Sequence, residues 1–129
     1  MRAITAEAGV NLASVNYYFR SKDNLIAEVL CRAIRPLNKQ RLALLQQEID
    51  VYQPAPVLLP KILNALLRPC LEISFDSSRQ NVFQLLGRSL SEEGNFIEEV
   101  IEKEWEPMLG VFMTSLQQSI PDVSQEDIY

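Results

Sequence analysis

The first apolar and polar positions of the chain predict a short helix that ends in a tight turn. Ile4 and Ala8 lie one helical turn apart, so they share an apolar face. Gly9 follows, and a glycine after a helix adopts the left-handed conformation without a steric penalty. Val10 is available to fill the space between two helices, and Asn11 is a suitable N-cap for the next one.

A second helix is predicted to start near Asn11, with different chemistry on its two faces. The face predicted to pack against the first helix carries Val15, Tyr18 and Phe19. The outward face carries Ala13, Ser14, Asn16 and Tyr17. An asparagine amide can bond adenine in two places and hydroxyl groups reach phosphate oxygens, whereas a merely solvated face would carry Glu and Lys. The pattern predicts a DNA-reading helix-turn-helix, with a plain pair of packed helices as the alternative.

The remainder of the N-terminal half is also predicted to be helical. Ser21 is the predicted N-cap of a helix whose apolar positions recur over residues 25–34. Lys22 in its first turn would face a backbone phosphate. Pro36 should bend or interrupt this helix, because its ring removes an N–H group and clashes with the preceding turn. The helix is then predicted to resume over residues 37–49.

A linker at residues 52–56, Tyr-Gln-Pro-Ala-Pro, is the clearest boundary in the sequence. It separates a predicted DNA-binding region, residues 1–50, from a C-terminal helical region, residues 51–129. Apolar stripes predict three helices in that second region, over residues 59–71, 82–90 and 95–116. Pro107 is expected to kink the last of these near Trp105, and a further helix should start near Ser124. The predicted fold class is all-α.

Composition supports one globular domain with an uneven charge distribution. Apolar residues make up 47% of the 129 positions, which is enough to build a core. The net charge is −5, yet residues 1–45 contain seven basic and three acidic side chains, which gives +4 there and −9 in the remainder. Such asymmetry is expected of a DNA-binding end attached to a ligand-binding or partner-binding body.

The chain has little of what enzymes and metal sites require. Cys31 and Cys70 lack a CxxC spacing, and neither a signal-like N-terminus nor a membrane-spanning run is present, so we expect a cytoplasmic protein with reduced thiols. Histidine is absent, which removes the usual member of metal sites and of nucleophile pairs. The acidic side chains expected to be solvated surface on the last predicted helix are Glu98, Glu99, Glu102 and Glu106. We therefore predict no catalytic residue, no metal and no cofactor.

Residues 4–25 read Ile-Thr-Ala-Glu-Ala-Gly-Val-Asn-Leu-Ala-Ser-Val-Asn-Tyr-Tyr-Phe-Arg-Ser-Lys-Asp-Asn-Leu, which resembles the DNA-binding signature of the TetR family of bacterial transcriptional regulators. The resemblance implies a turn at Gly9 and Val10, a recognition helix over residues 12–18, and a dimer on an operator. Thr5 stands where the family usually has alanine, and Asn16 replaces a more usual tyrosine, which should alter base preference. The expected DNA contacts are Asn11, Leu12, Ala13, Ser14, Asn16, Tyr17, Tyr18 and Lys22.

Two further features follow from the same resemblance. Residues 11–18, 35–42 and 85–88 look like the branch of the family that includes regulators of fatty-acid metabolism. Family members also have one helix before the helix-turn-helix and two more at the C-terminus that pair subunits. Met1 already lies inside the first predicted helix, and another helix is under way at Tyr129, so we expect both ends to be truncated.

The C-terminal helices carry more large apolar side chains than a three-helix packing needs, which favours a pocket for a long apolar effector, a fatty acid or an acyl-CoA. Arg88 is the basic group expected near that wall, where it would pair with a carboxylate or a thioester-linked phosphate group. The alternative is that these side chains form the core and that Arg88 lies on the surface. The predicted effector contacts are Leu66, Cys70, Phe83, Leu86, Arg88, Trp105, Met108 and Phe112.

These observations favour a ligand-responsive repressor that binds a palindromic operator as a homodimer. The alternative is an all-helical protein-interaction module whose first helices never meet DNA, and an enzyme is the least favoured class. The surface distinguishes them: a basic stripe around Arg2, Tyr17, Arg20 and Lys22 supports DNA binding, whereas an exposed apolar stripe there supports a protein partner.

Overall fold

The computed structural model describes residues 1–74, 81, 84, 85, 87 and 96–121, and the regular structure of this part is entirely helical. This confirms the all-α fold class. Most of the helix predicted over residues 82–90, and the helix start predicted near Ser124, lie outside the described residues. The elements are α1 (Arg2–Glu7), α2 (Leu12–Phe19), α3 (Lys22–Tyr52), α4 (Leu59–Ser74), α5 (Phe96–Val100), a π-helical turn (Ile101–Trp105) and α6 (Glu106–Ser119).

Local capping interactions set the boundaries of the first three helices. Gly9 has φ +63° in the turn after α1, as the sequence predicts. The side-chain oxygen of Asn11 accepts a hydrogen bond from the backbone N–H of Ala13 at 2.8 Å and so caps α2. The hydroxyl of Ser21 accepts from the N–H of Asn24 at 3.0 Å and caps α3. All three capping predictions are confirmed.

The long helix α3 is the element against which the others pack, and it continues through Pro36. Of the two predicted outcomes, a bend or an interruption, the interruption does not occur, because α3 is a single helix of 31 residues. A proline inside a helix removes one backbone hydrogen bond. Here Ile34 and Leu37 are buried on either side of Pro36, so tertiary packing outweighs that local loss.

Two hydrophobic clusters form the core, one towards each end of α3. Helices α1 and α2 together are called the head below. The cluster nearer the head joins α3 to α5 and consists of Ala27, Leu30, Cys31, Ile34 and Val100. The distal cluster consists of Leu45, Val57, Ile62, Ala65, Met108 and Phe112, and joins α3 to α4 and α6. The indole of Trp105 packs against both clusters, so the π-helical turn lies between them. No helix of the described residues is long and apolar enough to cross a membrane.

The π-helical turn lies where Pro107 was expected to kink the last helix. Its wider register is marked by the hydrogen bond from the N–H of Glu106 to the carbonyl of Ile101, five residues back. A proline ring clashes with the carbonyl four residues before it, which is that of Lys103 here. Widening the preceding turn by one residue relieves such a clash, and it also turns Glu104 and Trp105 towards α3.

Candidate functional site

The outward face of α2 is open to solvent. Asn16 is exposed, and the side chains of Tyr17 and Tyr18 are 81% and 76% exposed. The two tyrosine rings pack edge to face, with centroids 5.4 Å apart and planes at 85°. The prediction that Tyr18 points inward is therefore wrong.

The buried side of α2 is narrower than its sequence predicts. Leu12, Val15 and Phe19 are half-buried, and their spacing of three and four residues forms one stripe along the helix. Tyr18 falls at the edge of this stripe and pairs with its neighbour Tyr17 instead of entering the core. Leu12, which was expected among the DNA contacts, belongs to the packed side.

The inner face of α1 also differs from its prediction. Ile4 and Val10 are 45% and 49% exposed and Ala8 is exposed, whereas Thr5 is 5% exposed. The Thr5 hydroxyl donates to the carbonyl of Arg2 at 2.9 Å, which satisfies the polar group and permits its burial. The predicted inner set of Ile4, Ala8 and Val10 is thus wrong, and Thr5 is the residue that packs.

A strained turn joins α2 to α3 and presents basic side chains beside the α3 N-terminus. Arg20 has φ 62° and ψ −46°, a conformation that L-residues rarely adopt. Its N–H closes α2 on the carbonyl of Asn16 at 2.9 Å, and the Ser21 N–H bonds the Phe19 carbonyl at 2.7 Å. Arg20 and Lys22 are both exposed on the two sides of the Ser21 cap.

The exposed basic side chains of the N-terminal region differ in whether a carboxylate pairs with them. Arg2, Arg20 and Lys22 are exposed, and none of them forms an ion pair with another described residue. Arg32, in contrast, pairs with Glu28 at 2.7 Å, and the hydrogen bond between them lowers the pKa of Glu28. Arg20 and Lys22 beside α2, together with Arg2 on α1 and Lys39 on α3, are thus exposed cations that no described carboxylate neutralises.

Between the two core clusters lies a buried layer of polar side chains, centred on Arg41, which is 3% exposed. Its Nη1 donates to the Asn38 side-chain oxygen at 2.8 Å, and its Nε donates to the Leu66 carbonyl at 2.9 Å. Its Nη2 donates to the sulfur of Cys70. The guanidinium carbon lies 5.3 Å from the centroid of the Trp105 ring, within cation–π range. Arg41 thus joins α3, α4 and the π-helical turn.

The second half of this polar layer connects α3 to Glu104, which is 7% exposed. The Glu104 carboxylate accepts two hydrogen bonds from Arg35, at 3.0 Å from Nε and 2.7 Å from Nη2. This hydrogen bonding to Glu104 raises the pKa of the Arg35 guanidinium. The Asn38 side-chain N–H donates to the Glu104 backbone carbonyl, which completes a chain of contacts from Arg35 to Arg41.

The predicted effector residues fall into three groups. Leu66, Cys70 and Trp105 contact Arg41 directly. Met108 and Phe112 are fully buried in the distal cluster and so contribute to the core. Three predicted contacts, Phe83, Leu86 and Arg88, lie outside the described residues.

Sequence reasoning missed Arg41 as the basic group of this region. A signal was present, because Leu37, Arg41 and Leu45 occupy successive turns of one buried stripe, so a basic residue interrupts an apolar face. The roles of Asn38 and Glu104 carried no such signal.

Other candidate chemistry is limited in the described part of the chain. Cys31 is buried, and its burial raises the pKa of its thiol, with the nearby Glu104 carboxylate acting in the same direction. The thiol therefore stays protonated and is a poor nucleophile. No group of His, Cys, Asp or Glu among the described residues has the arrangement of a metal site. An open cleft of about 1170 Å³ lies between the linker and α6, and none of the described effector candidates lines it.

Comparison with known proteins finds family matches for two segments of the chain. Residues 1–29, which contain α1, the turn, α2 and the start of α3, match the family described as bacterial regulatory proteins, tetR family. Residues 64–129, about half of the chain, match the tetracyclin repressor-like C-terminal domain. Searches of curated proteins and of solved structures found no match. The chain belongs to the TetR family and is a DNA-binding transcriptional regulator with a helix-turn-helix head and a helical body.

Proposed function

We propose that this protein is a ligand-responsive repressor that binds a palindromic operator as a homodimer through the outward face of α2. The observation that carries the proposal is the exposed Asn16 and Tyr17 side chains next to the unpaired cations Arg20 and Lys22. One such head makes few contacts, whereas two heads related by a twofold axis read successive major grooves of a palindrome. Such a protein acts in the cytoplasm and has no catalytic activity.

The proposed contacts divide into base-reading and phosphate-binding groups. Asn16 reads a base, because its amide can donate and accept at adenine, and Ala13 touches a thymine methyl. Ser14, Tyr17 and Tyr18 reach backbone phosphates, together with Lys22 at the α3 N-terminus. Asn11 and Leu12 position α2, since one caps the helix and the other is half-buried.

The effector in this proposal is an apolar small molecule, a fatty acid or an acyl-CoA, bound in the body. Leu66, Cys70 and Trp105 meet near the middle of α3, which carries the head at its N-terminal end. A displacement of α3 at that level changes the spacing of two heads on DNA. A shift of a few ångströms is enough to move one head out of its major groove. Effector binding therefore releases the operator.

Two substitutions test the DNA-binding part. DNA is first selected by the wild-type protein from a random-sequence pool, and variants are then titrated on the selected site. Asn16→Ala should weaken binding by about 1–3 kcal/mol and relax the preference at one position per half-site. Lys22→Ala should weaken binding to all DNA sequences alike. It should also lower by about one unit the salt slope, which is the slope of the logarithm of the binding constant against the logarithm of the salt concentration. Unchanged operator affinity for Asn16→Ala, with binding abolished by Lys22→Ala, would refute the base-reading role.

One observation favours a second function, that of a protein-interaction module. Ile4 and Val10 expose nearly half of their side-chain surface on the head, and exposed apolar residues are typical of protein contacts. Selection from the random pool separates the two functions. If no sequence is enriched and binding depends on salt alone, the interaction module is the better description.

A further inference from the structure

The buried polar layer carries one more positive than negative charge. Its charged side chains are Arg35 and Arg41 against Glu104. Arg35 holds the carboxylate by two hydrogen bonds and is 60% exposed at its side chain. Arg41 is buried, and no carboxylate of a described residue forms an ion pair with it. A buried cation without a counter-ion is unfavourable, because dipoles replace lost hydration only in part.

The weakest partner of Arg41 is the thiol of Cys70, a residue that is partly exposed. Thiol sulfur is a poor hydrogen-bond acceptor compared with the amide and carbonyl oxygens that Nη1 and Nε bond. Cys70 is half-buried, whereas Asn38 is buried. An anion approaching from α4 would exchange a weak contact for a charge-assisted one.

An apolar surface adjoins this point on α4. Leu67, one helical turn before Cys70, is 53% exposed, and Leu63, one further turn back, is 40% exposed. A cation with a weak partner therefore lies beside uncovered aliphatic side chains. That combination matches a molecule with an anionic head and an apolar tail.

We propose that Arg41 is the anion-binding group of the effector site and that the effector is an amphiphilic carboxylate. Its head replaces the Cys70 thiol at Nη2 of Arg41, and its tail covers Leu67 and Leu63. This inference rests on the proposed ligand-responsive function. Binding displaces the Cys70 thiol from the guanidinium, which loosens the contact of α4 with α3 and gives the effector a route to the head.

The wild-type protein provides a direct test through its single tryptophan. Trp105 lies 5.3 Å from the Arg41 guanidinium, so its fluorescence reports on the site. Decanoate should change the emission. Its half-saturating concentration should be at least about tenfold lower than that of 1-decanol, the uncharged molecule of equal chain length. If Arg41 has only a structural role, the protein should show no preference for the carboxylate over the alcohol. Equal half-saturation for the two probes, or no response to decanoate in emission and melting temperature, would overturn the proposal.

Variants then assign the preference to one side chain. Arg41→Met keeps a long side chain but removes the charge, and should reduce decanoate affinity to that of decanol. Arg68→Met is the matched control, since Arg68 is exposed on α4 and pairs with Glu72 at 2.7 Å, and it should keep the preference. If Arg41→Met fails to fold by circular dichroism, the wild-type comparison decides alone.

A third measurement separates this inference from the proposed function. Operator affinity without decanoate tests DNA binding by itself. A carboxylate preference without any effect of decanoate on operator affinity would uphold the anion site and refute its role as the effector site. Operator binding with no carboxylate preference would refute the anion site and leave the DNA-binding function intact.

Discussion

The head and the buried polar layer are organised over different distances along the chain. In the head, the Asn11 cap bonds a backbone group two residues away and the Ser21 cap one three residues away. In the layer, Glu104 bonds Arg35 across 69 positions and Asn38 across 66. Capping chemistry follows from neighbouring residues alone, whereas the pairing of the layer depends on how the helices pack.

The same two regions differ in how they are stabilised. Helices α1 and α2 bury Thr5 alone, and Leu12, Val15 and Phe19 are only half-buried. The body fully buries large side chains such as Phe112 and Leu45. We infer that the DNA-reading head has little stability of its own and depends on its junction with α3.

Shortening an apolar side chain should reduce stability more in the body than in the head, and this is the largest difference expected between the two regions. Phe112→Ala should lower the free energy of unfolding by about 3–5 kcal/mol, since Phe112 is 0% exposed in the distal cluster. Ile4→Ala should cost about 1 kcal/mol, because Ile4 is 45% exposed. Urea unfolding followed by circular dichroism measures both values. Similar losses for the two variants would show that the head is packed as firmly as the body.

Substitutions in the buried polar layer should have the next largest effect on the free energy of unfolding. Asn38→Ala leaves Nη1 of Arg41 and the Glu104 carbonyl without their partner in a buried site, and should cost about 2–3 kcal/mol. Asn64→Ala, on the exposed face of α4, is the control and should change stability by less than about 0.5 kcal/mol. Equal, small effects of the two substitutions would mean that water replaces the bonds of Asn38 and that the layer is not closed.

Sequence patterns predicted the features whose cause is local. The turn at Gly9 and the two helix caps follow from intrinsic conformational and hydrogen-bonding preferences, and the structure confirms them. The same approach was wrong where a neighbour in space decides. Tyr18 is exposed because a narrower stripe suffices for packing, and α3 passes Pro36 because buried residues flank it.

The candidate sites were predictable to different degrees for the same reason. The outward residues of α2 follow from helical periodicity and from the family resemblance. Arg41 was not identified, since a basic residue inside an apolar stripe shows only that something unusual is buried there. Its partners Leu66, Cys70 and Trp105 come from two other elements, and their convergence on one guanidinium requires the tertiary structure.

Two asparagines of the head sharpen the distinction between folding and recognition. Asn11→Ala should lower stability by about 1 kcal/mol, because α2 loses the side-chain acceptor at its N-terminus. Asn16→Ala should leave stability within about 0.5 kcal/mol of wild type, since that amide is exposed and proposed to act on DNA. Thermal unfolding without DNA compares them. A larger loss for Asn16→Ala would show that its side chain supports the head instead of reading bases.

The smallest expected effect concerns Arg20, where strain and charge occur in one residue. Its φ of 62° is unfavourable for an L-residue by about 1–2 kcal/mol, whereas glycine adopts it freely at an entropic cost of about 0.5–1 kcal/mol. Arg20→Gly should therefore raise stability by up to about 1 kcal/mol, while Arg20→Ala keeps the strain and gains nothing. Both variants lose the cation, so both should reduce the salt slope of DNA binding by about one unit if Arg20 contacts a phosphate. If both variants have a reduced salt slope and only Arg20→Gly gains stability, the strain lies in the backbone and the guanidinium makes the DNA contact. An unchanged slope would remove Arg20 from the DNA surface and leave Lys22 as the cation of that junction.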